Sequence, residues 1–294
     1  MTNLVGGADD LGNVSVINTS TNKVVKTVTV GHGPEGVAVT PNGSDAYVTN
    51  SDGGANSVSV IKTSTNKVVK TVTVGRGPVA VAISPNGSDV YVSNFASGNV
   101  SVINTATYKV VATVTVGTAP DAVAIAPDGR YAYVANTFSN TVSLIRISTN
   151  KVIKTVGVGS NPAGLAITPN GSDAYVTNYD SGTVSVIKTS TNRVIKTVTV
   201  GSNPSGLAIT PNGSVAYVAN NDSSIVSVIN TSTNRVIMTV TVGSGPYGVA
   251  ITPNGSDVYV TSLPLDNVGV INTSTNKVIK TVGVGDNPLG IAIT

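Results

Sequence analysis

The stretch Val184-Ser185-Val186-Ile187 decides the fold of this chain, because copies of it recur seven times in the 294 residues. The copies begin at Val14, Val58, Val100, Val142, Val184, Val226 and Val268, and two of them differ by one residue. From Val58 onward the spacing between copies is 42 residues. A fixed period of about 40–45 residues is typical of architectures that repeat one small supersecondary unit.

Each repeat reads as four short strands. In the repeat that contains Val184 the predicted strands are residues 164–168, 174–178, 184–187 and 193–200, where Val, Ile and Thr alternate. Asn170-Gly171 marks a tight hairpin between the first two. The chain has 31 glycines, 14 prolines and no cysteine, a composition that disfavours helix and removes disulfides and thiol chemistry. The sequence predicts an all-β protein, a seven-bladed β-propeller with four-stranded antiparallel blades.

The two ends of the chain predict how the ring closes. Met1-Thr2-Asn3 aligns with Val48-Thr49-Asn50, so the sequence starts inside a second strand, whereas residues 290–294 repeat a first strand. We expect a three-plus-one closure in which residues 290–294 join residues 1–30, beside six continuous blades. The prediction is thus a single domain over residues 1–294, monomeric in isolation and one part of a larger protein.

The second strand of the repeats carries the motif of a known family. Tyr47-Val48-Thr49-Asn50 and Tyr175-Val176-Thr177-Asn178 are copies of the motif that names the YVTN β-propeller repeat family. Close variants begin at Tyr91, Tyr133, Tyr217 and Tyr259. The chain resembles this family over its whole length, which implies a likeness to archaeal surface-layer and cell-surface propellers and an extracellular or cell-surface location. Related propellers include lactonases and lyases, so the fold by itself does not assign a chemistry.

The motif residues themselves have a structural interpretation. The six motif tyrosines occupy one position of the repeat, where an amphipathic ring can fill the gap between adjacent blades. The motif asparagine is expected to bond the backbone of the loop beyond it.

Basic residues follow the predicted outer strands. Twelve of the 17 lie in the fourth strands, from Lys23 to Lys280. Lysine on an exposed strand edge discourages pairing with another chain, so the net charge of +3 needs no nucleic-acid partner. Nucleic-acid sites usually concentrate such charge in one patch. No apolar run is long enough to span a membrane, and we expect no membrane insertion.

Acidic and aromatic residues instead collect in the loops that precede the first strand and follow the second strand of each repeat. These loops lie on one face, called the variable face here. These loops differ from repeat to repeat, whereas those of the opposite face are near copies of one another, and nine of the 14 acidic residues lie in the variable set. Loops on a rigid scaffold commonly carry binding sites. The candidate ligand-binding residues are Phe95, Asp121, Phe138, Tyr179, Asp180, Asp222, Tyr247 and Asp266. A cationic, carbohydrate or protein partner would suit them, and the alternative is that they are ordinary turn residues.

Catalytic signals are weak. His32 is the only histidine, and no nucleophile with a partner base is apparent, so no catalytic, metal-binding or cofactor residue is assigned. The GxGxxG stretches at Gly31 and Gly243 are predicted to be turns rather than nucleotide sites, since no helix follows them. The sequence favours a non-enzymatic cell-surface or extracellular interaction or scaffold propeller that binds through the variable face. The alternative is a lactonase-like hydrolase or lyase with an acidic site on that face.

Overall fold

The computed structural model describes residues 2–3, 11–52, 54 and 56–294. Within those residues the chain forms six four-stranded antiparallel sheets, named blades I to VI here, and one three-stranded sheet. The three-stranded sheet consists of β1 (Thr2–Asn3), β2 (Asn13–Asn18) and β3 (Lys23–Thr29).

The strands of the six blades follow one another in chain order. Blade I comprises β4 (Pro34–Val39), β5 (Asp45–Asn50), β6 (Ser57–Lys62) and β7 (Lys67–Thr73). Blade II comprises β8 (Pro78–Ile83), β9 (Asp89–Asn94), β10 (Asn99–Asn104) and β11 (Lys109–Thr115). Blade III comprises β12 (Pro120–Ile125), β13 (Tyr131–Asn136), β14 (Thr141–Arg146) and β15 (Lys151–Gly157). Blade IV comprises β16 (Pro162–Ile167), β17 (Asp173–Asn178), β18 (Thr183–Lys188) and β19 (Arg193–Thr199). Blade V comprises β20 (Pro204–Ile209), β21 (Val215–Asn220), β22 (Ile225–Asn230) and β23 (Arg235–Thr241). Blade VI comprises β24 (Pro246–Ile251), β25 (Asp257–Ser262), β26 (Asn267–Asn272) and β27 (Lys277–Gly283).

Four single-turn 3₁₀ segments connect the second and third strands of blades II, III, V and VI. They are Phe95–Ser97, Thr137–Ser139, Asn221–Ser223 and Leu263–Leu265. No helix in the described part of the chain is long and apolar enough to cross a membrane.

The blades form a ring with the first strands innermost. First strands contact the first strands of neighbouring blades, and fourth strands contact fourth strands. The three-stranded sheet lies between blades VI and I, because β3 contacts both β27 and β7. The basic residues of the fourth strands are exposed, as the interpretation of these strands as outer edges requires.

The motif tyrosines fill the gaps between neighbouring sheets, as predicted. Tyr47, Tyr91, Tyr133, Tyr175, Tyr217 and Tyr259 are each at most 2% exposed. The ring of Tyr175, for example, packs in a cluster with Leu207 and Ile229 of blade V. Its hydroxyl reaches farther and donates a hydrogen bond to Asn234 Oδ1 at 2.5 Å, in the turn between the third and fourth strands of that blade.

The motif asparagine bonds a different loop from the one predicted. Asn178 Oδ1 accepts a hydrogen bond of 3.0 Å from Gly159 N, in the loop that precedes the first strand of the same blade. Glycine is required at that position because a Cβ on Gly159 would lie 2.6 Å from Asn178 Cγ. Asn178 Nδ2 donates to Ser185 Oγ, so the fully buried amide joins the loop to the third strand.

The prediction of seven four-stranded blades is wrong, since the described residues form six. The expected three-plus-one closure is also not formed: Pro288 makes an isolated bridge, and residues 289–294 are not a strand. A first strand needs a full second strand beside it, and among the described residues β1 pairs Thr2 with Val14 and Asn3 with Asn13. The C-terminal segment is held differently, because Gly290 N donates to Glu35 O at 2.9 Å.

Candidate functional site

The start of each first strand places one variable residue near the axis of the ring. Each first strand begins with proline, which is buried, and the residue after it changes from blade to blade. In blades I to VI this residue is Glu35, Val79, Asp121, Ala163, Ser205 and Tyr247. Because the first strands are innermost, side chains of blades that are not adjacent can interact here. We call the group formed by Glu35, Asp121, Tyr179 and Tyr247 the axial cluster.

Electrostatic interactions join the cluster across the ring. Tyr247 of blade VI interacts with Asp121 of blade III, with Glu35 of blade I and with Tyr179, which follows the second strand of blade IV. Asp121 in turn interacts with Glu35. The Tyr247 phenol therefore lies within electrostatic range of two carboxyl groups and a second phenol, which three other blades contribute.

Asp121 has the most perturbed acidity among these groups. Burial raises the pKa of its carboxyl from 3.8 to about 7, and repulsion from the Glu35 carboxylate adds to the rise. In the described part of the chain no protein group donates a hydrogen bond to this carboxyl group. The Asp121 carboxyl group, which is partly exposed, therefore exchanges a proton close to neutral pH and has no donor among the described protein groups.

The Glu35 carboxyl group, unlike that of Asp121, accepts a hydrogen bond from a neighbouring side chain. Burial raises its pKa above 4.5, the hydrogen bond from Ser51 lowers it, and the neighbouring Asp52 carboxylate raises it again. Ser51 Oγ donates to Glu35 Oε1 at 2.6 Å. This bond fixes the orientation of the Glu35 carboxyl group relative to the loop after the second strand of blade I.

Tyr247 remains a neutral phenol in this environment. Burial raises the pKa of its hydroxyl far above 10, and Asp121 and Glu35 contribute to the rise. Its backbone is anchored from the next blade, since Ser205 Oγ donates to Tyr247 O at 3.1 Å. The phenol can thus donate or accept a hydrogen bond but cannot supply a negative charge at physiological pH.

The remaining predicted site residues serve other contacts. Phe95 and Phe138 pair edge to face, with ring centroids 5.5 Å apart and planes at 74°. The carboxylates of Asp180 and Asp222 bridge to the loop that precedes the first strand of their blade, and that of Asp266 bridges to the segment after β27. Asp180 accepts from Asn161 Nδ2, Asp222 from Asn203 Nδ2 at 2.8 Å, and Asp266 from Asn287 N at 2.8 Å.

Three of the predicted residues, Asp121, Tyr179 and Tyr247, therefore belong to the axial cluster, and the rings of Phe95 and Phe138 pair with each other. Glu35 was recognised as a loop acid but was not selected as a ligand-binding residue. Its position directly after Pro34 is the signal that could have found it, because the same position gives Asp121 and Tyr247. The described residues include no group of three or more His, Cys, Asp or Glu side chains placed to hold a metal ion.

Two family models match parts of the chain. A model described as a YNCE-like beta-propeller matches residues 78–176, and one described as a lactonase, 7-bladed beta-propeller, matches residues 9–119. Each match covers less than half of the sequence. Among curated proteins, none matches the chain.

Two solved structures of different proteins have a fold similar to this chain. Hydrazine synthase of Kuenenia stuttgartiensis is similar with a TM-score of 0.80 at 22% identity, over 88% of each chain. A functionally unknown protein of Desulfotomaculum acetoxidans is similar with a TM-score of 0.83 at 19% identity, over 95% of each chain. At these identities the likeness concerns the fold, and the protein is a β-propeller with similarity to YNCE-like and lactonase propellers. The likeness to YVTN-repeat and surface-layer propellers rests on the repeat motif alone.

Proposed function

We propose that this propeller is a non-enzymatic binding module whose axial cluster takes a small ligand carrying a cationic amine. The observation that carries the proposal is the Asp121 carboxyl group, which is partly buried, receives no hydrogen bond from the described protein and interacts with a second carboxyl group. A ligand with an N–H donor and a positive charge would supply both missing interactions.

The charges around the cluster support this choice of ligand. In the described part of the chain, the charged neighbours that shift the pKa of Asp121 and Glu35 are themselves acidic, namely Glu35 for the former and Asp52 for the latter. A bound cation would reduce this repulsion, whereas an anion would increase it. Tyr247 and Tyr179 interact electrostatically with each other, and tyrosine rings are groups to which an ammonium group binds.

The loop carboxylates make a useful contrast. Asp222 already accepts a hydrogen bond from Asn203, and it is exposed. The Asp222 carboxylate thus already has a hydrogen-bond partner in a neighbouring loop. We therefore place ligand binding at the axial cluster and not across the whole variable face.

Thermal shift measurements with a matched pair of sugars test the proposal. Glucosamine carries an amine, whereas N-acetylglucosamine is neutral, and choline provides a second cation. We expect the cations to raise the melting temperature of the wild type and of Asp222→Asn, because a ligand that binds only the folded state stabilises it. Asp121→Asn should lose this increase. Equal shifts with the neutral sugar, or an unchanged shift in Asp121→Asn, would contradict the proposal, as would no shift with either cation.

A lactonase-like hydrolase is the second candidate. It is favoured by the pKa of about 7 at Asp121, which suits a general acid or base, and by the lactonase model match, which includes Glu35. Asp121 would accept a proton from the water that attacks the ester carbonyl. Titration of the acid released from a series of lactones tests this activity. Turnover that disappears in Asp121→Asn and persists in Asp222→Asn would support it.

The setting of the module is also a proposal. The YVTN-like motif supports an extracellular or cell-surface location within a larger protein, where the module would meet a protein or carbohydrate partner. Cell fractionation with and without external protease tests this location, and protection of the chain inside intact cells would contradict it.

A further inference from the structure

Three basic side chains lie close together on blade III, beside the turn between its third and fourth strands. Arg146 ends β14, and Lys151 and Lys154 lie in β15. Arg146 pairs directly with Lys151, and Lys154 pairs with Leu144. All three basic side chains are exposed. We call them the blade III cluster.

A β-bulge places the three charges on one face of the sheet. Lys151 and Lys154 are three residues apart, which in a regular strand would put their side chains on opposite faces. The register shifts between Leu144 and Ile145, so Ile153 has no partner in β14. Arg146 and Leu144, the partners of the two lysines, are two residues apart and share a face. The lysines therefore project on the same side as Arg146.

Blades I and IV have the same cross-strand pair of basic residues but add a carboxylate to it. The last residue of the third strand in each of these blades is a lysine, and an aspartate of the second strand lies directly opposite and forms an ion pair with it. The ion pairs, at 3.3 Å each, are Lys62–Asp45 and Lys188–Asp173. In blade III the residue opposite Arg146 is Tyr131, which carries no negative charge to neutralise it.

The other three blades avoid the charge altogether. Their third strands end in Asn104, Asn230 and Asn272. In blade III no described acidic residue forms an ion pair with the cluster, because Asp128, in the turn before β13, is bound to Arg130 at 2.7 Å. Like charges directly opposite each other in a sheet are destabilising. A bound anion would remove this repulsion.

The wall of blade IV that faces this side of blade III is apolar. Tyr131 and Leu144 pack in one cluster with Ala174 and Ile187 of blade IV, so their face of blade III points toward that blade. Asp173 precedes Ala174 by one residue in β17 and therefore projects from the opposite face of its sheet. Blade IV thus provides an apolar wall beside the three positive charges and directs its own carboxylate away from them.

We propose that the blade III cluster binds a phosphate monoester, the group that a phosphorylated sugar carries. Such a group has about two negative charges at neutral pH and three acceptor oxygens. The guanidinium of Arg146 would donate two parallel hydrogen bonds to it, and the ammonium groups of Lys151 and Lys154 would supply further donors and charge. This site is separate from the axial cluster, with which it shares no residue, and it takes a ligand of opposite charge.

Titration of the intact chain with glucose 6-phosphate tests the proposal, with backbone amide NMR shifts as the readout. We expect saturable shifts at residues 146–154 and none there with glucose. Glucose 6-sulfate, which carries a single negative charge, should bind about threefold more weakly. Arg146→Gln should weaken glucose 6-phosphate about fivefold, and higher salt should weaken it as well.

Exchanging the carboxylate between blades gives a matched pair of variants. Tyr131→Asp provides blade III with the aspartate of blades I and IV and should abolish the shifts, whereas the neutral Tyr131→Asn should keep them. Asp173→Asn removes the carboxylate from blade IV and should create a second site, with new shifts at Lys188, Arg193 and Lys196. The two variants change the same position of the repeat in opposite directions.

The proposal is overturned if glucose 6-phosphate gives no saturable shift, if the sulfate binds as tightly, or if blades I and IV of the wild type respond as strongly as blade III. Unchanged affinity in Tyr131→Asp would also overturn it. Should that variant fail to fold, Asp173→Asn and the comparison of the three sugars on the wild type still decide the question. A failure here leaves the proposed function untouched, because the axial cluster is tested with cationic ligands.

Discussion

Tyr259 Oη donates a hydrogen bond of 2.5 Å to Asn22 Oδ1, and this bond joins residues 237 positions apart in the chain. It connects blade VI to the turn between β2 and β3. Four other tyrosine–asparagine bonds repeat the same link between neighbouring blades. The Tyr259–Asn22 bond thus links the last blade of the ring to the three-stranded sheet that the N-terminal strands form.

Replacing Tyr259 by Phe should lower the free energy of unfolding by about 1 kcal/mol, the net contribution of a typical hydrogen bond. Tyr47→Phe is the matched control. Within the described residues the Tyr47 hydroxyl is buried and has no hydrogen-bond partner, so its removal should cost nothing or stabilise the fold. Urea unfolding of both variants measures the difference. Equal losses would show that the Tyr259 bond contributes no more than a hydroxyl without a partner.

Tyr108→Asn should stabilise the protein. Tyr108 stands where the other blades have the accepting asparagine, and it adopts a positive φ of 53° that asparagine tolerates better than tyrosine. The new side chain could accept the hydrogen of Tyr47. We expect the new hydrogen bond to contribute about 1 kcal/mol, and this part of the gain should disappear when Tyr47 is also replaced by Phe, whereas any gain from the backbone at position 108 should remain. A double-mutant cycle measured by thermal or urea unfolding gives the coupling energy, and an equal gain in the wild-type and Tyr47→Phe backgrounds would argue against the hydrogen bond.

Asp121→Asn should stabilise the fold in a pH-dependent way. The pKa of Asp121 is raised to about 7 in the folded state, so folding favours the protonated carboxyl group. Below pH 4 both states carry the proton and the substitution should have little effect. Between pH 4 and pH 7 the unfolded chain loses its proton first, the folded wild type becomes relatively less stable, and above pH 7 the cost is constant.

The stabilisation of Asp121→Asn should therefore be absent at pH 4 and reach on the order of a few kcal/mol at pH 8. Melting curves of Asp121→Asn and of Asp222→Asn between these limits make the measurement. The second variant removes a negative charge from an exposed loop of the same face. A parallel pH response in both would mean that net charge, and not the environment of Asp121, is responsible.

Asn178→Ser should destabilise blade IV. The fully buried amide accepts from Gly159 N and donates to Ser185 Oγ and Thr183 Oγ1, and a shorter hydroxyl cannot make all three bonds. We expect a loss of about 1–3 kcal/mol from unsatisfied buried groups. Ser262 occupies the same position in blade VI, and in the described structure its buried hydroxyl has no partner. Ser262→Ala should accordingly be neutral, and a comparable loss there would refute this explanation.

The sequence predicted the strands well because their pattern is local. The alternation of Val, Ile and Thr and the Asn170-Gly171 turn place β16 to β19 within two residues of their predicted bounds. The closure of the ring was mispredicted because a strand at residues 290–294 depends on a neighbouring strand with which it can pair. Residues 290–294 have the composition of a first strand, but strand formation requires backbone groups to pair with, and in the part of the chain that the structure describes β1 provides two residues.

The axial cluster could be predicted in part. Its face was identified from loop variation, and Asp121, Tyr179 and Tyr247 were selected. Asp180 and Asp222 looked equivalent to Asp121 in the sequence, since aspartate suits any turn. The difference lies in the partners, because asparagines bond the first two carboxylates while no described residue bonds the third. Such pairing depends on how loops 19 residues apart fold against each other, which composition does not reveal.

In the described structure blade I lacks the tyrosine–asparagine link to the blade that follows it, because the buried Tyr47 hydroxyl meets no acceptor in blade II. The neighbours of this blade therefore hold it less firmly than they hold one another. In a ring of blades, the blade that its neighbours hold least firmly is where solvent first enters. Amide hydrogens of β5 and β6 should exchange sooner than those of β17 and β18, because local unfolding of the ring should begin at blade I.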